Sequence, residues 1–162
     1  MMEKFSEHEI HWMKAAVEKT REGIYSGQSP FGACIVMDNQ LISCEHNIVL
    51  SSCDITAHAE ITAIREACRK LNTIDLSGCV IFSTCEPCPM CFTAIHWARI
   101  GRIYYGASIE DAADHGFNEL KISNFTLRDL GRSGINIIPG LMKKQCVELF
   151  EQWSKLPYRK TY

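Results

Sequence analysis

No run of the sequence is apolar for long enough to span a bilayer, and the N-terminal "MMEKFSEHEIHWMKAAVEK" holds no apolar core of signal-peptide length. The expectation is therefore a reduced, cytoplasmic protein with no membrane partner. An excess of positive charge is missing too: 17 Lys and Arg against 19 Asp and Glu leave a net charge of −2. A protein that holds a polyanion over an extended surface carries the opposite balance, so nucleic acid is not the expected partner. There is no internal repeat, low-complexity tract or linker-like segment, and 162 residues suit one domain spanning 1–162. Hydrophobic residues at 46 % and charged residues at 22 % are ordinary globular usage, which excludes a disordered chain.

What the sequence does have is cysteine. Nine is many, and an odd number does not suit a secreted disulfide framework. The expected division is a subset on a metal, with Cys34, Cys44, Cys53, Cys68, Cys79 and Cys146 as core fillers.

Periodicity places the elements. Ser6 stands three residues before Glu9, a capping-box pattern, and opens an amphipathic helix to about Ser26. "ACIVMD" and "LISCEHNIVL" form a hairpin about "DNQ", and "AHAEITAIREACRKL" follows as a helix without Gly or Pro. "CVIFST" is a buried strand and "CEPCPM" the turn beyond it. "CFTAIHWARI" continues as a helix whose first turn suits Pro89. "RIYYGAS" and "INIIPG" are further strands, and "LMKKQCVELFEQWSKL" is a closing helix. Residues 108–132 read as loop, with one short helix around 110–115. Helices between strands predict an α/β fold, a three-layer α/β/α sandwich around a mixed sheet of about five strands.

Two segments carry chemistry: "TAHAE" at 56–60 and "TCEPCPMC" at 84–91, each at the start of a predicted helix. One histidine and two closely spaced cysteines supply three ligands to a zinc ion and leave a fourth position for water. Helix N-termini favour thiolates at such positions. Cys85, Cys88 and Cys91 form two overlapping C-x-x-C pairs. Cys88 and Cys91 bracket the first turn after Pro89, where both sulfurs point to one side. With His58 they read as the metal ligands of one zinc per chain, and Cys85 reads as a non-ligand. Glu60 reads as the proton carrier beside the metal, against the plainer reading of an exposed helix glutamate.

"HAE" followed by "PCPMC" matches the H-x-E and P-C-x-x-C pattern of zinc-dependent nucleobase deaminases. At these residues the chain resembles the cytidine deaminase-like superfamily, and within it the small bacterial guanine deaminases. The likeness runs through "SPFGACIV", "HN", "TAHAEITAIREAC", "TCEPCPMCFTAIHWARI", "YYGASIEDAADHGF" and the tail "YRKTY". It implies a hydrolase acting on a free nucleobase, most directly guanine to xanthine plus ammonia. It further implies that Asn47 hydrogen-bonds the base edge, that Phe31 walls the ring, and that Ala57 and Trp97 belong to the base site. A homodimer is implied, with Tyr162 of a swapped tail closing a neighbour's pocket. Where the guanine branch carries "DD" after "GF", this chain has Asn118–Glu119, which keeps an acid at the second position on a longer stem. Deamination of tRNA adenosine, of cytosine or a related aminopyrimidine or triazine, and of a nucleoside are the competing activities. A zinc-stabilised binding module without catalysis is the competing class, and the presence of Glu60 speaks against it.

Overall fold

The computed structural model describes residues 5–162. Ser6 caps the first helix as expected. Its side chain accepts the Glu9 N–H while Glu9 reaches back to the Ser6 backbone, and α1 runs Glu7–Tyr25. β1 (Gly32–Met37) and β2 (Gln40–His46) form the hairpin, turned by Asp38 and Asn39, both at positive φ (49° and 59°) as a two-residue primed turn requires. β2 stops at His46, earlier than the apolar "NIVL" suggests. Gly32 at the start of β1 is its last partner, and Val49–Ser52 turns instead into a short helix, α2.

α3 (Ala59–Leu71), β3 (Val80–Cys85), α4 (Pro89–Trp97) and β4 (Arg102–Ala107) then alternate. α5 (Ile109–Asp114) is the expected short helix, while α6 (Asn124–Gly131) occupies residues expected as loop. β5 (Asn136–Pro139) and α7 (Lys143–Ser154) complete the fold.

The sheet order is β2-β1-β3-β4-β5, with β1 antiparallel to both neighbours and β3, β4 and β5 parallel. This is the predicted mixed five-stranded sheet. Strand alternation divides the core. Cys34, Val36, Phe82 and Tyr104 pack under α1 and α7, while Ala33, Ile35, Ile81 and Ile103 pack under α3 and α4. The topology has one consequence for function: it brings the start of β1, the end of β2 and the ends of β3 and β4 to the same sheet edge. In sheets of this kind, that edge is where ligands bind.

Not every cysteine is a core filler. Cys34, Cys79 and Cys146 are buried, Cys44 and Cys68 are half-buried, but Cys53, which ends α2 in the left-handed conformation (φ 52°), is exposed. Among the described residues no helix is long and apolar enough to cross a membrane.

Gly32 is where α1 presses hardest on the sheet. A Cβ there would lie 2.1 Å from Thr20 Oγ1 and 2.8 Å from the Ala16 carbonyl oxygen. Gly32→Ala is therefore expected to cost about 1–3 kcal/mol of stability as overpacking. Thermal melting should show it as a loss of roughly 2–4 °C per kcal/mol.

Candidate active site

Three of the helices begin with a serine that caps them through its side chain: Ser6, Ser108 and Ser123. The two helices at the functional edge break that pattern. His58 is the N-cap of α3 and Cys88 the N-cap of α4, and neither makes a side-chain cap bond. Both have the extended backbone of a cap (φ −62°, ψ 158° and φ −63°, ψ 167°), so their side chains are free to turn toward each other. Pro89 in the first turn of α4 holds Cys88 and Cys91 one turn apart on one side.

The three donors converge. Cys88 Sγ lies 3.7 Å and Cys91 Sγ 3.6 Å from His58 Nδ1, and all three donor atoms fall within 4.8 Å of one another. Tetrahedral zinc with bonds of about 2.3 Å to sulfur and 2.05 Å to nitrogen separates those atoms by about 3.6 Å. The spacing and the donor set therefore fit a zinc ion, with one coordination position to spare. Cys85 does not join them. Its thiol donates to the Ser108 carbonyl at 3.5 Å and packs in the cluster under α1 and α7.

The electrostatics agree with a metal-binding pair. The adjacent Cys91, with His58 alongside it, pulls the Cys88 thiol down to about 4 against the opposing effect of burial. The neighbouring Cys88, together with burial and the Glu60 carboxylate, pushes Cys91 up. The pair thus favours one thiolate and one thiol, and a cation would displace the remaining proton. Burial disfavours the charged imidazole of His58, but its hydrogen bond with Cys88 and the nearby acids outweigh that and raise its pKa.

Glu60 sits in the first turn of α3, 5 % exposed, which disposes of the solvated-helix reading. The Ser83 hydroxyl donates to its Oε1 at 3.0 Å and the Cys91 thiol to its Oε2 at 3.4 Å. Burial and the Cys88 charge raise its pKa, with His58 and Ser83 pulling the other way.

His58, Glu60 and Cys88 line a cavity of about 310 Å³, together with Phe31, Glu86, Phe117, Glu119 and Tyr162. Phe31 meets Phe117 edge-to-face with centroids 4.9 Å apart. Glu119 is half-buried, and burial, Cys88 and Glu60 push its carboxyl up to about 7.

Three expected base contacts come out differently. Trp97 is 78 % exposed and lies beside Ile74, Asp75 and Arg99, away from the cavity. Cys91, Phe92 and Ile95 are the residues of α4 that face inward, and Trp97 falls on the outer side. Ala57 is buried, its carbonyl accepting the Ile48 N–H. Asn47 is fully buried with both amide ends engaged: Oδ1 accepts the Val49 N–H at 3.0 Å, and Nδ2 donates to the Tyr162 hydroxyl at 2.5 Å. Asn47 and Ala57 are absent from the cavity lining, so Asn47 reaches the cavity through Tyr162. Tyr162 itself enters the cavity of its own chain, its ring centroid 5.9 Å from that of His58.

Sequence reasoning missed Phe117, Glu86 and Ser83. Phe117 and Glu86 stand inside quoted motifs, and a charged residue in the short turn between a buried strand and a helix is the signal that marks Glu86.

Comparison with known proteins comes to the same site. The model of the cytidine and deoxycytidylate deaminase zinc-binding region matches residues 6–107. The chain is 47 % identical to the guanine deaminase of Bacillus subtilis (strain 168) over 109 residues, 67 % of this chain and 70 % of that protein. It is 32 % identical to the tRNA-specific adenosine deaminase of Buchnera aphidicola subsp. Schizaphis graminum (strain Sg) over 150 residues, 93 % of this chain and 96 % of that one. A guanine deaminase from Nitrosomonas europaea superposes with a TM-score of 0.83 at 28 % identity, covering 91 % of this chain and 85 % of that one.

Proposed function

Because the chain belongs to the cytidine and deoxycytidylate deaminase zinc-binding family, a family of hydrolytic deaminases, we propose that its substrate is a free nucleobase, guanine first, which it converts to xanthine and ammonia. The observation that carries the reading is the cavity wall. It offers aromatic faces and three carboxylates but no Lys or Arg, so it suits a flat, uncharged ring rich in N–H donors rather than a phosphate.

His58, Cys88 and Cys91 would hold the zinc ion, whose Lewis acidity brings the pKa of a bound water down toward neutrality. Phe31 and Phe117, packed against each other, wall the ring and exclude solvent. Glu60 would take one proton of the attacking water and pass it to the ring nitrogen beside the reacting carbon. It would then take the second proton from the hydroxyl now on that carbon and give it to the departing amine, which leaves as ammonia. Ser83 holds one oxygen of Glu60, so the other is the one that moves protons. Glu119 accepts the N–H groups of the base on the far side. Glu119→Gln is expected to raise KM for guanine roughly 10- to 100-fold with the metal content unchanged, as losing a charged acceptor implies.

Guanine, guanosine, adenine, cytosine and ammelide, each assayed for ammonia release with the zinc-loaded protein beside a transfer RNA bearing adenosine in its anticodon, test the assignment. Turnover of the transfer RNA alone would replace the free-base reading with the adenosine one, which the Buchnera relative supports. A homodimer belongs to the same proposal. The exposed Trp97 and Ile74 suit a protein contact, and sedimentation velocity tests it.

A further inference from the structure

We infer that Glu86 positions the substrate-facing loop 115–123 by holding the first amide of each helix that brackets it. Glu86 lies in the turn between β3 and α4, two residues before Cys88, and is buried in the cavity wall. Its Oε1 accepts the N–H of Asn124 at 2.8 Å and its Oε2 the N–H of Ile109 at 3.3 Å. Ile109 is the first residue of α5 and Asn124 the first of α6. Such amides have no partner inside their own helix and sit at the positive end of its dipole, so one carboxylate satisfies two helix starts with charge-assisted bonds. Asn124 adds a second tie, its Nδ2 donating to the Pro87 carbonyl at 2.6 Å.

Between these anchors the chain has no regular structure from Gly116 to Ser123, and it carries Phe117, Asn118, Glu119 and Leu120 into the cavity. The backbone bonds within the loop, Glu119 N–H to Phe117 O and Ile122 N–H to Leu120 O, are local and do not fix it to the rest of the fold. Phe117 is tied separately, its N–H donating to the Ala112 carbonyl at 3.4 Å and its ring packing against Phe31 and Trp153. The side-chain anchor of the two flanking helix starts is Glu86. It stands on the same short turn as Cys88, so the wall that recognises a substrate and the turn that carries a metal ligand move as one body. Among the described residues the Glu86 carboxylate makes no hydrogen bond to the donors His58, Cys88 or Cys91 and acts through Glu119 and its neighbours.

The kinetic part of the test rests on the proposed deaminase activity, and the exchange part does not. Glu86→Gln keeps the shape but leaves one acceptor oxygen for two amides. Amide hydrogen exchange across 109–124 is expected to quicken about tenfold, zinc content to stay at one per chain, and KM to rise about tenfold with kcat changed less than about threefold. Glu86→Asp should recover part of both effects. A second comparison covers the case in which Glu86→Gln does not fold. Asn124→Ala and Asn124→Pro both remove the side chain, but only proline removes the N–H. Proline suits a first helical position, and Ser123 already has the extended backbone that precedes it (φ −66°, ψ 153°). Faster exchange in Asn124→Pro than in Asn124→Ala is the expected result. Equal exchange in that pair, or wild-type exchange in Glu86→Gln, overturns the inference. So does a fall in kcat with KM and exchange unchanged, which would put Glu86 in the chemistry. If the wild-type protein turns over none of the bases, the proposed substrate fails while the exchange comparison still decides the role of Glu86.

Discussion

Replacing Glu60 by Gln is expected to leave a folded, metal-loaded protein whose kcat is lower by about 10³- to 10⁴-fold, the upper range for removing a general acid–base. The structural half of that expectation follows from the bonds Glu60 makes. Glutamine fills the same buried space, its carbonyl oxygen still accepts from Ser83, and its amide can donate to the Cys91 sulfur in place of the bond that now runs the other way. The chemical half follows from what an amide cannot do: it neither takes a proton from water nor delivers one to ammonia. Metal analysis and ammonia release on one preparation decide the matter. Full turnover would remove the proton-carrier role, and loss of metal with loss of turnover would make Glu60 a structural acid.

The second large effect is expected at the ligands. Cys88→Ser should purify with far less than one zinc per chain, with deamination below about 10⁻⁴ of wild type, because binding energy at such sites is on the order of 10 kcal/mol and comes from all donors together. Cys85→Ser is the matched control. It changes the other C-x-x-C cysteine, yet zinc and turnover should persist. The cost should be confined to stability, about 1–3 kcal/mol for a hydroxyl in an apolar cluster. Zinc lost from Cys85→Ser and kept by Cys88→Ser would reverse the assignment. Metal content and thermal melting of the two variants read this directly.

Much of this was legible in the sequence because the site is built from adjacent residues. His58 and Glu60 are two apart, Cys88 and Cys91 three apart, and each pair needs only one helix start to orient it. The elements with strong periodicity, α1 and β3 above all, were equally plain. α6 was not, since "NFTLRDLG" is poor in helix formers. It is held instead by the Ser123 cap and by Phe125 and Leu127 packing into the cluster under α3 and α4. Trp97 was misplaced because motif membership does not say on which side of a short helix a residue falls. Asn47 shows a related limit. Its buried place was within reach of a motif, but its hydrogen bond to a residue 115 positions later was not.

Cys85 has a consequence for how the protein matures. In a denatured chain the thiols at 85, 88 and 91 are equally spaced, so a soft cation finds two interchangeable chelates there, and binding to that state offsets part of what it gives the native one. Only after β3 has paired is Cys85 tucked beneath α1 and α7 and taken out of competition. The folded sheet would thus leave Cys88 and Cys91, of the three, as the sulfurs free to meet His58 on a metal.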